Sequence, residues 1–195
     1  MECEFSPTIW PETKVPPEAL DCQKCELYRQ RSRMIWGEGN TSAPVLLILD
    51  NPGAREDKDG NAYVCGTRQT LQLAAFNAGF KAEDLYVTYV LKCQPKRQYN
   101  KEEARGTCME HLNNQLLQQK PKLAFCLGNV AVQWFFDDME KDVKTLRGTW
   151  HFSKGIPTAV TYHPLAVRRR PNLLPYFTND WEMLAQRYYK EILHK

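Results

Sequence analysis

The chain has 195 residues, 43% of them hydrophobic and 25% charged, with a formal net charge of +3. This is the composition of an ordinary soluble globular protein, long enough for one domain with a core that needs no disulfides, and it excludes a global polycation. No apolar run approaches the roughly 20 residues needed to span a bilayer, and Met1 to Phe5 lack the basic head and apolar stretch of a secretory signal. The expected setting is therefore cytoplasmic, where seven cysteines point to metal binding or burial rather than disulfide pairing.

Residues 1–20 are rich in Pro and Glu and read as an extended lead-in, followed by a single domain over 21–195. Four short β-branched or leucine-rich runs follow: Val45 to Asp50, Leu85 to Val90, Leu123 to Leu127 and Thr158 to Tyr162. They are too continuous for half-exposed strands and suit strands buried on both faces. Helical spacing fills the intervals over Thr70 to Ala78, Lys101 to Gln119 and Asn129 to Phe136, with a closing helix from Pro175 to Leu193. In the second of these, Ala104, Cys108, Leu112 and Leu116 lie four apart and make one stripe. Alternating strands and helices predict a three-layer α/β/α fold with a short central parallel sheet and right-handed crossovers. Ligands in such folds bind beyond the carboxyl ends of the strands, here after Asp50, Val90, Leu127 and Tyr162.

Cys22-Gln-Lys-Cys25 is a two-ligand knuckle, Cys93 follows the second strand, and Cys108 lies on the next helix. Four thiolates can close a tetrahedral zinc site or cap the irons of a [4Fe–4S] cube. Spacing alone does not choose, although Cys93 and Cys108 are not the second close pair that a zinc ribbon supplies. Cys65 and Cys126 read as core thiols and Cys3 as a tail residue. Basic residues gather at Arg29 to Arg33, Lys92 to Arg97 and Arg168 to Arg170, as solvated loops or as phosphate contacts.

The order of several motifs is more specific. Cys22-x-x-Cys25-x-Leu27-x-x-x-Arg31 leads to Pro52-Gly53-x-x-Glu56-Asp57-x-x-Gly60 and Lys92-Cys93-x-Pro95. Cys108, Leu127-Gly128, Arg147-Gly148 and Thr161-Tyr162-His163-Pro164 complete the series. Taken together this resembles the family 4, iron–sulfur branch of the uracil-DNA glycosylases over nearly the whole chain. The resemblance implies a [4Fe–4S] cluster on Cys22, Cys25, Cys93 and Cys108, and a monomeric enzyme that removes a deaminated base, uracil first, in base excision repair of DNA.

Cleaving a base from deoxyribose leaves positive charge on the sugar and negative charge on the base. Asp50 and Asn51, after the first strand, suit the sugar cation and the attacking water, and Pro52 and Gly53 continue the pocket wall. His163, after the last strand, suits the developing oxyanion. By family position, Tyr63 is the aromatic that stacks on a base turned out of the duplex. Between His163 and Pro171, Leu165 and Val167 are candidates for a wedge in the duplex, and Arg168, Arg169 and Arg170 for phosphate contacts.

Two departures bear on specificity. The family's Gly-Glu-Ala-Pro-Gly is Leu49-Asp50-Asn51-Pro52-Gly53 here, and its Thr-Asn before the third cysteine is Thr88-Tyr89. Tyr89 stands at the base edge with one hydroxyl where an amide would offer a paired donor and acceptor. Slow uracil excision, or preference for another lesion, is the expectation. A DNA-binding, damage-sensing relative with weak turnover is the alternative from another class.

Overall fold

The computed structural model describes residues 4–59 and 64–193. In chain order its helices and strands are α1 (Pro17–Leu20), β1 (Glu38–Gly39), β2 (Val45–Leu49), α2 (Ala54–Asp59), α3 (Gly66–Asn77) and β3 (Leu85–Tyr89). They continue as α4 (Lys101–Gln119), β4 (Leu123–Leu127), α5 (Asn129–Phe136), α6 (Val143–Leu146), β5 (His151–Ser153), β6 (Ile156–Thr161), α7 (Pro164–Arg169) and α8 (Leu174–Tyr188). Short 3-10 turns and a terminal π turn, Tyr189–Leu193, complete them.

The strands order as β1-β3-β2-β4-β6-β5. The central four are parallel, as the buried runs require, while β1 and β5 are antiparallel edges. Both edges escaped the sequence reading because two or three residues carry no period. Each central strand feeds two cores alternately. Val45, Leu47 and Leu49 of β2 meet α3 and α8 on one face, while Leu46 and Ile48 join α4 and α5 on the other. β4 repeats the pattern with Leu123, Phe125 and Leu127 against Ala124 and Cys126. A sheet buried on both faces has three layers by necessity. Leu47 has no exposed surface, so its truncation to Ala would cost about 2–5 kcal/mol.

The long helix α4 starts where Asn100 accepts the Glu103 N–H (3.2 Å), and it ends at Lys120 in the left-handed region. Its buried stripe, Ala104, Cys108 and Leu112, faces inward. Within the N-terminal segment, Trp10 is buried in the main core, and Pro11 and Thr13 bond to Gly39 and Gly37 beside β1.

Two local expectations change. The arginine segment expected as a loop is helical as α7, because Pro164 opens the first turn and the His163 side chain caps it. Cys65, expected in the core, is half-buried at the start of α3, whereas Cys126 is buried in β4 and burial raises its thiol pKa.

Candidate active site and cysteine cluster

A cavity of about 560 Å³ opens along the carboxyl edge of the sheet. It runs from the end of β6, across β4 and β2, to β3 and β1, with α3 and α7 as its walls. Asp50, Asn51, Gly53, Tyr89, His163, Leu165 and Arg168 all line it. Residues named separately along the sequence thus share one space. Tyr63 and Cys3 lie outside the described residues.

Asp50 leaves β2 as its last backbone bonds form, its own carbonyl accepting the Leu91 N–H at 2.9 Å. Its carboxylate is paired with Arg105 of α4 at 3.2 Å. Burial raises the Asp50 pKa, and the Arg105 guanidinium opposes that rise. Asn51 donates its side-chain N–H to the Pro52 carbonyl (2.7 Å), which fixes the amide and leaves its oxygen as the acceptor. Pro52 is buried beneath this turn. Asp50 and Asn51 therefore both reach the cavity from the end of β2, in the middle of the sheet.

His163 enters from β6. Its Nδ1 accepts the Leu165 N–H at 3.1 Å, so in the neutral ring the proton sits on Nε2. Burial lowers its pKa to about 4. A neutral imidazole with a fixed Nε2–H is the donor an oxyanion requires. Gly128 makes room for it: at φ +98, a Cβ there would lie 2.9 Å from His163 Cβ. Arg147, after α6, binds the buried Asp180 of α8 through Nε (3.0 Å) and Nη2 (2.7 Å). Thr161 donates to the same carboxylate at 2.8 Å. Arg147 and the end of β6 are therefore joined through the one Asp180 carboxylate, outside the cavity lining.

At the opposite end, Tyr89 is buried and lines the cavity with Glu38 of β1 and Arg68 of α3. Burial raises the pKa of its hydroxyl well above the usual phenol, and Glu38 and Glu56 raise it further, so it stays protonated. Arg68 Nε donates to Glu38 Oε1 at 2.9 Å, and Nη2 lies 2.7 Å from Oε2. Gly39 permits this approach of β1: at φ +107, a Cβ would stand 2.5 Å from the Leu85 carbonyl oxygen.

On α7, Leu165 borders the cavity, whereas Val167 is buried in the core. Arg168, Arg169 and Arg170 are exposed in a row. The other basic clusters are mostly engaged. Lys92 is buried and donates to Thr88 (2.6 Å), the Tyr89 carbonyl (2.9 Å) and Gln115 (2.5 Å). Arg33 pairs with Glu12, and Lys96 with Asp57 at 2.7 Å.

Cys22, Cys25, Cys93 and Cys108 line a second, small cavity with Arg31 and His111. Its apolar shell holds Leu27, Met34, Trp36, Leu91 and Ala104. Arg31 Nη1 donates to Cys93 Sγ (3.1 Å), and the Lys92 N–H donates to Cys108 Sγ (3.2 Å). His111 Nε2 stands 3.4 Å from Cys22 Sγ. Burial raises the thiol pKa of Cys25 and Cys93, and that of Cys108 to about 12. Such thiols give up protons only to a metal that replaces them. Among the described residues, no group of three or more His, Cys, Asp or Glu is gathered into a site for a metal ion. A cubane cluster carries its own irons and sulfides between its ligands, so its four thiolates need not meet at one point.

Three residues were missed in the sequence: Glu38 and Arg68, which line the main cavity, and Arg105, which pairs with Asp50. The one signal for Glu38 is the glycine on either side of it, and for Arg105 its place three residues before Cys108 on the same helix. Arg68 carries none.

Residues 36–185 match the family model described as the uracil DNA glycosylase superfamily. Similar proteins include the type-4 uracil-DNA glycosylase of Archaeoglobus fulgidus, 29% identical over 87% of this chain and 89% of that one. That of Sulfurisphaera tokodaii is 29% identical over 89% and 83%, and that of Pyrobaculum aerophilum 30% identical over 84% and 87%. Among the described residues, no helix is long and apolar enough to cross a membrane.

Proposed function

Because the chain belongs to the uracil DNA glycosylase superfamily, we propose that it hydrolyses the N-glycosidic bond of a deaminated base in DNA, uracil first, as a step of base excision repair. The observation that carries this is that Asp50, Asn51 and His163 line one cavity at the carboxyl edge of the sheet.

The chemistry follows from that shared cavity. As the glycosidic bond lengthens, the sugar gains positive charge and the base negative charge. The Asp50 carboxylate faces the sugar, and Arg105 favours its ionised form. The Asn51 amide oxygen accepts a hydrogen bond from water and holds it for attack on the sugar carbon. His163 donates its Nε2–H to the carbonyl oxygen of the departing base. Because it is already neutral, it stabilises that oxyanion without first losing a proton. Water adds to the sugar carbon as the base leaves with the bonding electron pair, and the proton lost by the water balances the one the base takes up.

Tyr63 is the proposed stacking partner of the turned-out base. Leu165 serves as the wedge in preference to Val167, whose side chain is occupied in the core. Arg168 to Arg170 are the phosphate contacts. Cys22, Cys25, Cys93 and Cys108 would hold a [4Fe–4S] cluster, with Arg31, His111 and the Lys92 amide as hydrogen-bond donors to its ligands. Bound there, the cluster supplies a rigid cross-link between the front knuckle, the end of β3 and α4. We propose that the protein acts as a monomer in the cytoplasm, with residues 21–195 as its single catalytic domain.

The test is single-turnover cleavage of DNA carrying uracil, hypoxanthine, xanthine or thymine opposite guanine, in single and double strands. Release of uracil is the expected result. DNA binding without release of any base would move the protein to a damage-sensing role, and release of another base alone would reassign the lesion.

A further inference from the structure

From Val143 to Asn179 the chain carries no Asp or Glu, while Lys144, Arg147, Lys154 and Arg168 to Arg170 fall within that stretch. It supplies β6, α7 and the first turn of α8, so the elements around His163 carry charge of one sign. The carboxylate that follows, Asp180, is buried and taken up by Arg147 and Thr161. Thr161 is the last residue of β6, and its bond to Asp180 sets the start of α8 at the carboxyl edge of the sheet. In that first turn Tyr176 is 48% exposed. Arg147 lies over its ring, 4.7 Å from the centroid, and Arg147 Nη2 donates to the Tyr176 carbonyl at 3.0 Å. Tyr162, the residue before His163, meets the same ring at 61° with the centroids 6.5 Å apart. The ring is thus held by two neighbours, stays about half open to solvent, and stands one side chain away from His163 at the cavity wall.

Phosphate asks only for charge, whereas an exposed ring backed by a guanidinium suits the face of a base. Aromatic rings set among cations are how proteins hold single strands without regard to sequence, because every base has a π-face. In a duplex those faces are covered by the neighbouring pairs, so a ring fixed at the protein surface meets one only where the strand is unpaired. We propose that Tyr176, held by Arg147 and Tyr162, is a stacking platform for the unpaired base next to the nucleotide that enters the cavity. The phosphates of the same strand lie on Arg168, Arg169 and Arg170. The partner is therefore a single DNA strand, gripped by ring and charge together, and the contact carries no base identity. The platform is distinct from the stacking partner of the turned-out base itself. It deepens the proposed function and rests on its DNA-binding part, not on turnover.

The experiment is a double-mutant cycle between ring and base, read as affinity so that it does not depend on turnover. The protein purified anaerobically is titrated with a single strand carrying one tetrahydrofuran abasic residue. A second strand is abasic at the residues on both sides of it as well. Wild type, Tyr176→Phe and Tyr176→Ala are compared, and Tyr176→Leu, which keeps apolar bulk without a ring, covers the case in which the alanine variant does not fold. Removing the flanking bases is expected to weaken binding to the wild type and to Tyr176→Phe by at least about fivefold, which corresponds to about 1 kcal/mol. The same removal should cost Tyr176→Ala and Tyr176→Leu less than about twofold, because they have no ring to lose. Any change in the DNA itself is common to all four proteins and cancels. A wild type indifferent to the flanking bases overturns the platform. So does a folded Tyr176→Ala or Tyr176→Leu that keeps the wild-type penalty, or a folded Tyr176→Phe that loses it. Cleavage of uracil-containing single strands by the same preparations separates the two readings. A wild type that shows the penalty but releases no base defeats the proposed activity alone. One that releases uracil without the penalty defeats the platform alone, and one that binds no DNA defeats both.

Discussion

His163 holds two jobs in one ring, and substitutions can separate them. Its Nδ1 caps α7 by accepting the Leu165 N–H, and the residue lines the cavity, where its Nε2–H is the proposed donor. His163→Ala removes both. Losing a helix cap costs about 1 kcal/mol, which in a chain of this size lowers the melting temperature by about 2–4 °C. Losing a donor to a developing oxyanion costs about 100- to 1000-fold in rate, or about 2.7–4 kcal/mol of barrier. His163→Asn restores a good capping oxygen but not the reach of Nε2, so it should keep the melting temperature and still lose the rate. The pH dependence gives an independent readout. An unfolded histidine titrates near 6.5, and this one titrates at about 4. Between those values the unfolded chain binds a proton that the folded chain does not, so stability rises with pH across the window and is lost as pH falls. The difference is worth about 3 kcal/mol by linkage. Both variants should show a flatter stability profile between pH 6.5 and 4. The assays are single-turnover cleavage, DNA affinity, thermal melts across pH and an NMR titration of the imidazole. An imidazole titrating near 6.5 would refute this account of His163. So would His163→Asn with wild-type rate, or equal losses of affinity and rate.

Removing Arg105 takes away the cation that opposes the rise in the Asp50 pKa. Arg105→Gln should therefore raise that pKa further and move the acid limb of the pH–rate profile to higher pH, whereas an unmoved limb would detach Asp50 from the chemistry. The protein purified anaerobically should be yellow-brown with about four irons per chain. Cys108→Ser should lower iron content and soluble yield, Cys126→Ser should change neither, and a colourless protein with stoichiometric zinc would exclude the cluster. Replacing Arg168, Arg169 and Arg170 with Ala should flatten the slope of log affinity against log salt by about one to three, similarly for all DNA sequences. An unchanged slope would make this run a solvated helix end.

The sequence was most legible where a physical period or a strand end marked the residue. Val45 to Leu49 and Leu123 to Leu127 are apolar without a break because both of their faces are buried, and that pattern needs no partner to be recognised. Asp50 and His163 could be placed on one edge because each follows a parallel strand. Glu38, Arg68 and Arg105 had no such mark. A buried ion is defined by the residue that answers it, and the partners here are separated by 30 and 55 positions. The helical form of Pro164 to Arg169 was hidden by its arginines, although the proline and the capping histidine before them carry the signal. Lys92 looked like part of a basic surface, yet it is buried under Trp36, with its ammonium lowered to about 7 by desolvation.

The shortness of α7 has a consequence for how binding and chemistry communicate. It is six residues long, with His163 fixed at the first turn and Arg168 and Arg169 in the last. A helix of one or two turns is short and stiff, and the cap bond couples the imidazole to its first turn. If the arginines bind phosphates beside a turned-out nucleotide as proposed, the same displacement would set the imidazole against the base. Energy gained at the backbone, which is blind to sequence, would then be spent on alignment at the one bond that breaks. DNA that fails to present its phosphates in register would leave the helix unseated, and an intact base that strayed into the cavity would face a donor out of line.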